Sequence, residues 1–533
     1  MPRSGEQPAS AVLGPALSGR GRGVGAATTH VPLRALLDEP RLGPGRRLAL
    51  PRGADALLLV VVFAFAGVLL DILPSSLNDD SWLDLTAGRL VWQTGIPHHD
   101  TLIAWAHGGR WVNQQWLSQL FTYLLDRVDG LGLVGVVDVA MMTLGVGIAI
   151  GAARRLGARP LSVILLLPLC LIAVLAGREV RAQAYALPLL ASTILLLALD
   201  SRRPSRRVYW CVPILILWAN VHGTAILGAA LVELRVLTLL WERRRSLPSD
   251  WTACRRPLLL GLAAPLCLLL TPYGSQMIVY YHETAGSAAL RHLVTEWQPI
   301  TALPVLAVPF FVLAAILVWS FGRAPSRTTP WEKLATLLLA AITIGVLRNA
   351  ILFGLCALVV APVSIDEVVG RWHRRSAPER NRLNAVIVAA ALIAVLAGTA
   401  VTFSRPEAQL EVGYQRTRIL QVVRTETAHD PSLQVFADVR FADWLLWYDP
   451  ALAGRVAYDT RFELLSPPQM NSLVAMFSAI GPDWNQAARG DRLLVLDRAD
   501  SPETVRAFLA EPGRRILYDD GTRLVILRAP RVA

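Results

Sequence analysis

Long apolar runs dominate the sequence, and short polar connections separate them. The runs lie at about 54–74, 131–153, 160–177, 182–200, 208–222, 223–241, 256–273, 303–322, 332–347, 349–367 and 383–403. A helix needs roughly 20 predominantly apolar residues to cross the ~30 Å hydrocarbon core of a bilayer. The pattern therefore predicts an α-helical polytopic membrane protein with about eleven transmembrane helices.

Basic residues are distributed unevenly between these connections. The connections on one side of the predicted membrane hold twenty Arg and Lys residues, and those on the other side hold seven. Because cytoplasmic connections are enriched in Arg and Lys, the richer side is predicted to be cytoplasmic. Residues 1–53, which are rich in Gly, Pro and Arg, are then predicted to form a disordered cytoplasmic tail. An odd number of spans places residues 404–533 outside the cytoplasm.

Two polar segments on the outer side have internal structure of their own. The connection 75–130 contains two stretches of helical periodicity, "SWLDLTAGRLVWQ" and "WVNQQWLSQLFTYLLDRV", and Trp82 and Trp92 are predicted to anchor the first at the membrane interface. Residues 404–533 alternate strand-like runs such as "RLLVLD" and "RLVILR" with helical stretches. The predicted parts are thus the tail, a transmembrane domain over 54–403 with a structured first outer loop, and a small extracytoplasmic α/β domain over 404–533.

Composition agrees with a multi-pass protein of the cell membrane. The chain has 533 residues, of which 54% are hydrophobic and 17% charged, which is too apolar for a soluble protein of this length. The formal net charge of +12 comes from basic clusters between apolar runs. Such clusters indicate topology, so that nucleic acid is not predicted as a partner. The five cysteines lie in or beside apolar runs and lack metal-binding spacing.

Polar residues gather where predicted helices reach the outer face, although these helices are far apart in sequence. The candidates for a site are Asp79, Asp80, Arg178, Arg181, Gln183, Asn220, His222, Glu296 and Arg348. Ionisable and polar groups at membrane depth are costly and usually line a cavity. Their common position therefore predicts a polar cavity on the outer side of the membrane.

The residue types in this set suit a substrate with a phosphate head and a hydrocarbon tail. Arg offers paired donors that match phosphate and stay charged. A carboxylate such as Asp80 is suited to take the proton of an acceptor hydroxyl. As an alternative, the pair Asp79 and Asp80 is predicted to hold a divalent metal, Mg²⁺ or Mn²⁺, through oxygen ligands.

Each candidate also has a structural interpretation. Asp80 or Ser81 would cap a helix that begins at Trp82. The three arginines would extend their side chains to lipid headgroups. His222, beside Gly223, would be a turn residue with satisfied hydrogen bonds. The convergence of independent helix ends favours the functional interpretation.

The chain resembles the GT-C superfamily of bacterial membrane glycosyltransferases. The resemblance covers residues 75–525 and is carried by "DDSWLDLTAGRLVWQTGIPHHD", "WVNQQWLSQLF", "RAQAYALPLL", "LWANVHG", "TPYG", "TEWQP", "LRNAILF", "VFADVRFADWLLW" and "RVAYDTRFELL". It implies transfer of a sugar from a polyprenyl-phosphate donor to an envelope glycan, lipid or protein acceptor. Asp80 would then be the leading catalytic acid with Asp79 as its partner, and Arg181, His222 and Arg348 would bind the donor phosphate.

The working hypothesis is therefore an inverting glycosyl transfer at the outer face of the membrane. One alternative is a transporter or flippase for lipids or solutes, since Glu233 and Arg235 lie within an apolar run where charges are rare. Another is a non-catalytic envelope scaffold whose outer domain binds partner molecules.

Overall fold

The structure is a computed structural model that describes residues 53–244, 252–286, 290–369, 381–412, 414, 416–479 and 481–529. The predicted cytoplasmic tail, residues 1–53, lies outside the described residues except for its last residue. The remaining parts of the sequence prediction fall largely on described residues.

A helix coincides with every predicted apolar run. The helices of this part of the chain are α1 (Gly53–Ile72), α2 (Asp79–Thr94), α3 (Trp116–Arg155), α4 (Pro160–Leu175), α5 (Gln183–Arg202), α6 (Cys211–Val221), α7 (Ala225–Arg243), α8 (Thr252–Cys267), α9 (Gln276–Gly286), α10 (Leu290–Leu293), α11 (Pro304–Arg323), α12 (Pro330–Gly345), α13 (Ala350–Val369) and α14 (Asn381–Ser404). Among the described residues, six helices are long and apolar enough to cross a membrane, namely α1, α3, α5, α11, α13 and α14. The predicted class of polytopic helical membrane protein is confirmed, while the count of eleven spans stays a prediction.

The helices α3, α4, α5, α11 and α12 pack against α13. In its most apolar window 89% of the residues are buried, whereas the corresponding window of α14 is only 6% buried. A helix that is apolar on all sides and buried belongs to the centre of a bundle, and an apolar helix that is exposed suits contact with lipid. The helix α14 packs along α1, where Gly398 approaches Leu70.

The C-terminal part is a small α/β structure, as predicted. It contains the helices α15 (Glu407–Leu410), α16 (Arg416–His429), α17 (Val439–Tyr448), α18 (Pro467–Phe477) and α19 (Pro502–Ala510) and the strands β1 (Val435–Ala437), β2 (Leu493–Asp497), β3 (Arg515–Asp519) and β4 (Arg523–Leu527). The strand order is β1-β2-β4-β3, with β1 parallel to β2 and the other neighbours antiparallel. Every residue of β2 is buried, as expected for a central strand.

The first outer loop is joined to this sheet by main-chain hydrogen bonds. The amide of Ala104 donates to the carbonyl of Val456 at 2.7 Å, and that of Gly454 donates to the carbonyl of Leu102 at 2.9 Å. Val456 in turn bridges to Val435 at the start of β1. The loop and the C-terminal part therefore extend one hydrogen-bonded array, although some 350 residues separate them in sequence.

The same two segments share a hydrophobic core. Trp82 on α2 is fully buried, and its ring lies edge-on to Tyr414 with 5.4 Å between centroids. The prediction that Trp82 anchors at the membrane interface is wrong, because the C-terminal part covers it. Trp92, near the other end of α2, is 57% exposed and is free to serve as an anchor.

Candidate active site

The helix α2 begins earlier than expected because Asn78 caps it. The side-chain oxygen of Asn78 accepts a hydrogen bond from the amide of Ser81 at 3.2 Å, and Ser81 Oγ accepts from the amide of Asn78 at 3.1 Å. This reciprocal arrangement is a capping box. The interpretation of Asp80 or Ser81 as the cap of a helix starting at Trp82 is therefore wrong. Both Asp79 and Asp80 lie in the first turn, where negative charge is favoured by the helix dipole.

A glycine sets how closely α2 approaches α3. A Cβ atom built on Gly88 would lie 2.1 Å from the main-chain oxygen of Gln119. Only a residue without a side chain permits this contact. The close packing fixes the start of α2, and with it Asp80, against the rest of the site.

A cavity of about 550 Å³ is lined by residues from the ends of several helices. Six of the predicted residues line it, namely Asp80, Arg181, Gln183, His222, Glu296 and Arg348. The cavity thus brings together residues from α2, α5 and the connections before α5, α7, α11 and α13. Side chains that the sequence separates by up to 268 positions meet in one space.

Three predicted residues do not line the cavity. Asp79 precedes Asp80 in the same helical turn but faces elsewhere. Arg178 is exposed. The amide oxygen of Asn220 accepts from Trp116 Nε1, and its nitrogen donates to the carbonyl of Leu270, each at 2.9 Å. These contacts make Asn220 a connector between helices.

Arg181 is the centre of a carboxylate cluster. Its guanidinium donates to both oxygens of Glu296 at 2.6 and 2.9 Å and to Asp80 Oδ2 at 3.1 Å, and it lies 3.6 Å from Glu179. Burial alone would raise the pKa of Glu296, but the charge and hydrogen bonds of Arg181 outweigh it and lower that pKa to about 2. The Arg181 side chain is only 8% exposed. Its donors are thus largely occupied by protein carboxylates.

Two neighbouring carboxyl groups have the opposite shift. Burial, and then repulsion from Asp80 and Glu179, raises the pKa of Asp79 to about 7. Burial and the charge of Asp80 likewise raise the pKa of Asp84 to about 7, even though Asp84 accepts a hydrogen bond from the amide of Ala182 at 2.7 Å. These two groups titrate near neutral pH, so the charge of the cluster depends on pH in that range.

Arg348 differs from Arg181 in its partners. Its guanidinium lies over the ring of Trp297, 5.3 Å from the centroid. Among the described residues, no carboxylate is within salt-bridge distance of Arg348. Because Arg348 also lines the cavity, its hydrogen-bond donors remain available to an anionic ligand there.

The surroundings of His222 fix its tautomer. Its Nδ1 accepts a hydrogen bond from the amide of Thr224 at 3.2 Å and lies 2.9 Å from Thr224 Oγ1. That hydroxyl accepts from Trp218 Nε1 at 3.1 Å and so directs its own proton to the imidazole. A ring whose Nδ1 accepts carries its hydrogen on Nε2. His222 is therefore a second hydrogen-bond donor at the cavity.

One side of the cavity is apolar. It is lined by Ile226 and Leu227 from α7, by Ile342 from α12 and by Val346 just beyond α12. Ile226 is also 40% exposed. Apolar side chains of this kind suit contact with a hydrocarbon chain.

The alternative that Asp79 and Asp80 hold a divalent cation stays a prediction, and two observations bear on it. Within the described part of the chain, no group of three or more His, Cys, Asp or Glu residues is arranged to hold a metal. The cation next to Asp80 is instead the guanidinium of Arg181, and its positive charge opposes a second cation at the same oxygens.

Several lining residues were not among the sequence candidates. They are Gln114, Gln115, Tyr280, Tyr281, Thr284 and Trp297 near the helix ends, and Thr460, Arg461, Phe462 and Glu463 from the C-terminal part. The second group lies in the stretch "RVAYDTRFELL", whose only signal in the sequence is its place in the family resemblance. Their arrival at the cavity depends on the contact between the sheet and the first outer loop.

Of the two intramembrane charges that favoured a transporter, Arg235 belongs to an internal network, whereas Glu233 Oε1 is buried without a hydrogen-bond partner among the described residues. The Nε atom of Arg235 donates to Asp200 at 3.0 Å, and Arg256 contacts the other oxygen of Asp200 at 2.7 Å. Arg235 and Asp200 are 1% and 2% exposed. These contacts join α5, α7 and α8 and lie apart from the cavity, so a structural role accounts for Arg235.

No protein-family model matches the sequence, and no curated protein matches it either. In structure the chain is similar to the apo oligosaccharyltransferase of Archaeoglobus fulgidus, with a TM-score of 0.48 and 12% identity over 83% of this chain and 69% of that one. It is also similar to ArnT of Cupriavidus metallidurans bound to undecaprenyl phosphate, with a TM-score of 0.47 and 16% identity over 89% and 99% of the two chains.

A third similar structure is the mycobacterial arabinofuranosyltransferase AftD, with a TM-score of 0.49 and 14% identity over 89% of this chain and 42% of that one. Since each TM-score is below 0.5, the function proposed for this chain rests on its own site.

Proposed function

We propose that this protein is a membrane glycosyltransferase that transfers a sugar from a polyprenyl-phosphate donor to an acceptor hydroxyl on the outer side of the membrane. The observation that carries the proposal is the composition of one cavity. It combines an arginine without a carboxylate partner among the described residues, a carboxylate held by a second arginine, and apolar lining residues from α7 and α12.

The donor phosphate binds to Arg348 and to Nε2 of His222 in this proposal. Arg348 supplies a charge that persists at all physiological pH values, and His222 supplies a neutral donor. The isoprenoid chain then follows the apolar wall formed by Ile226, Leu227 and Ile342 towards the lipid. The family resemblance implied that Arg181 binds the donor phosphate. We do not assign it that role, because Glu296 and Asp80 already occupy its hydrogen-bond donors.

Asp80 is the general base of the proposed reaction. The acceptor oxygen attacks the anomeric carbon and forms the new glycosidic bond, while its proton passes to the Asp80 carboxylate. The bond between the anomeric carbon and the phosphate oxygen breaks, and its electron pair leaves with the lipid phosphate. That phosphate gains a second negative charge, which Arg348 and His222 stabilise. Attack opposite the departing phosphate inverts the anomeric configuration.

The uneven distribution of basic residues between the connections supports the proposed topology. The N-terminus is cytoplasmic, the C-terminal α/β part is extracytoplasmic, and the cavity faces outward. The acceptor is then an envelope glycan, lipid or protein that reaches the site from the water side, between the helix ends and the α/β part.

The test is a transfer assay with the purified protein in lipid nanodiscs and a panel of labelled polyprenyl-phosphate sugars. We expect Asp80→Asn to lower kcat by about 10²–10⁴-fold, the usual contribution of a general base. Asp79→Asn is the matched control, because its side chain is adjacent in sequence but does not line the cavity, and it should reduce kcat by less than about tenfold. Full activity in both variants would refute the assignment of Asp80.

A further inference from the structure

The loop 459–463 of the C-terminal part reaches the cavity because buried ion pairs hold it there. Arg461 lies 2.8 Å from Asp100 of the first outer loop and also pairs with Asp459. All three side chains are at most 2% exposed. The guanidinium of Arg461 further lies over the ring of Trp111, 4.2 Å from its centroid. A buried pair of this geometry fixes the main chain around it.

Hydrogen bonds also hold the residues on either side of Arg461 in place. Thr460 Oγ1 donates to Asp443 at 2.7 Å, and the amide of Thr460 donates to the same oxygen at 3.2 Å. The amide of Phe462 donates to the carbonyl of Thr460 at 2.9 Å. The turn therefore presents Thr460, Phe462 and Glu463 to the cavity as one rigid edge.

Glu463 is the charged residue of this edge, and it takes no part in the ion pairs of Arg461 with Asp100 and Asp459. No described residue forms a salt bridge with it, although Arg461 is only two positions away, because Arg461 is engaged by Asp100 and Asp459. Burial, together with the charges of Asp459 and Asp80, raises the pKa of Glu463 to about 7. Its charge also acts on Tyr280, which lines the same cavity.

Glu463 shares the cavity with neutral groups that differ in chemistry from the phosphate-binding arginine. The lining includes the hydrogen-bonding residues Thr460, Tyr280, Gln114 and Gln115 and an aromatic face in Phe462, and Tyr280 is near enough to Glu463 for its charge to act on it. Hydroxyl, amide and aromatic groups together suit the hydroxyls and the apolar face of a sugar ring. The nearby carboxyls Asp80 and Glu463 disfavour a second anion at this end.

We propose that loop 459–463 forms the acceptor subsite and that Glu463 selects a neutral carbohydrate acceptor by accepting a hydrogen bond from one of its hydroxyls. The proposal rests on the proposed function, because it assumes that the donor occupies the Arg348 side. Glu463 is assigned to binding and discrimination, whereas Asp80 takes the proton. The C-terminal part thereby acquires a defined task in the site.

Two measurements on the full-length protein in nanodiscs test this assignment. The first is equilibrium binding at pH 8, where Glu463 is ionised, and with excess polyprenyl phosphate to occupy Arg348. It compares maltotriose as a neutral probe with trigalacturonic acid as an anionic probe of equal length. We expect the wild type to prefer the neutral probe. Glu463→Gln removes the charge with little change in shape, so that this preference should fall by about tenfold or more, as expected for loss of a charged partner. Glu503→Gln is the control, because Glu503 is 55% exposed in a surface pair with Arg506.

The second measurement is transfer with the acceptor that the wild type uses. Glu463→Gln should raise the acceptor KM by about tenfold while the donor KM changes less than twofold, a split that a general loss of structure would not produce. An unchanged acceptor KM, or a wild type that prefers the anionic probe, would overturn the subsite and leave the proposed transferase intact. Selective binding without transfer from any donor would overturn the transferase and retain the carbohydrate subsite.

Discussion

Replacing Arg181 with alanine removes the cation at the centre of the carboxylate cluster. The closest of its ion pairs is the bidentate one with Glu296, at 2.6 and 2.9 Å. Removing one partner of a buried ion pair costs about 3–5 kcal/mol, because the other charge is left without compensation. Asp80 and Glu179 are 36% and 33% exposed, so solvent screens their contributions. We therefore expect the free energy of unfolding to fall by about 3 kcal/mol.

The pKa of Glu296 provides a separate route to this magnitude. Burial raises that pKa, but Arg181, with smaller effects of Arg348 and His222, lowers it from 4.5 to about 2. Each unit corresponds to about 1.4 kcal/mol, so the net shift is worth roughly 3 kcal/mol. Because the pKa is lower in the folded protein, this stabilisation is fully present above about pH 4.5. It is lost as the pH falls from 4.5 towards 2, where Glu296 becomes protonated in both states.

Thermal unfolding of the purified protein measures the effect. Arg181→Ala should lower Tm by several degrees at neutral pH, and the difference from the wild type should shrink between about pH 4.5 and 2. Arg178→Ala is the matched control, since Arg178 is exposed and does not line the cavity. Adding Glu296→Gln to Arg181→Ala should restore part of the stability, because no uncompensated charge then remains at that position.

Two results would refute this reasoning. Equal Tm values for Arg181→Ala and Arg178→Ala would mean that the cluster around Arg181 contributes no stability. A difference that persists unchanged down to pH 2 would mean that the destabilisation comes from packing of the long Arg side chain and not from its pairing with Glu296.

Four further outcomes follow from the same structure. Arg348→Ala should raise the donor KM by about tenfold or more with little change in the acceptor KM, since it removes the phosphate contact, and Arg178→Ala should change neither. Transfer should be unaffected by EDTA, because a guanidinium occupies the cation position beside the proposed base; inhibition by EDTA that Mg²⁺ or Mn²⁺ reverses would contradict this. Gly88→Ala should lower Tm by several degrees because its Cβ would meet a main-chain oxygen at 2.1 Å, while Gly67→Ala, with nothing within 4 Å, should not. The free energy of unfolding should fall as the pH rises from about 4 to 7. Burial raises the pKa of Asp84 to about 7 in the folded protein, so its ionisation costs more free energy there than in the unfolded chain. A Tm that does not change with pH over this range would count against this.

Much of the helical part could be predicted because one physical rule decides it. Apolar runs of sufficient length form helices in a bilayer, and the alternation of basic connections orients them. The same alternation places Asp80, His222 and Arg348 at one face of the membrane, and the structure brings these three side chains to one cavity. The sequence thus predicts at which end of a helix a residue lies.

The sequence does not predict the direction in which a side chain points at the end of a helix. Consecutive helical residues are rotated by about 100°. Asp80 therefore faces the cavity while Asp79 does not, although the sequence offers both equally. Asn220 and His222 differ in the same way, because the amide of Asn220 is used by Trp116 and Leu270. Direction depends on packing between distant helices, which no local pattern contains.

The sequence also does not predict that the C-terminal part contributes residues to the cavity, and the reason is again a dependence on distant contacts. Glu463 reaches the cavity only because the sheet continues into the first outer loop through Ile103 and Val456, and because Asp100 pairs with Arg461. Each of these contacts joins residues more than 350 positions apart. A strand-like pattern predicts that a sheet exists, but the edge to which a loop is added depends on the tertiary structure.

The arrangement of charges explains why one unpaired arginine is sufficient for the proposed donor. Three arginines line the cavity in the described part of the chain; Arg181 is bound by Glu296 and Asp80, and Arg461 is bound by Asp100 and Asp459. A sugar phosphodiester brings a single negative charge, which Arg348 balances. The second charge appears only when the glycosidic bond to phosphate breaks, and at that moment Asp80 receives a proton and ceases to repel it. In the proposed reaction, the charge that the phosphate gains is therefore balanced by the charge that Asp80 loses, which gives a reason for the base and the phosphate site to share one cavity.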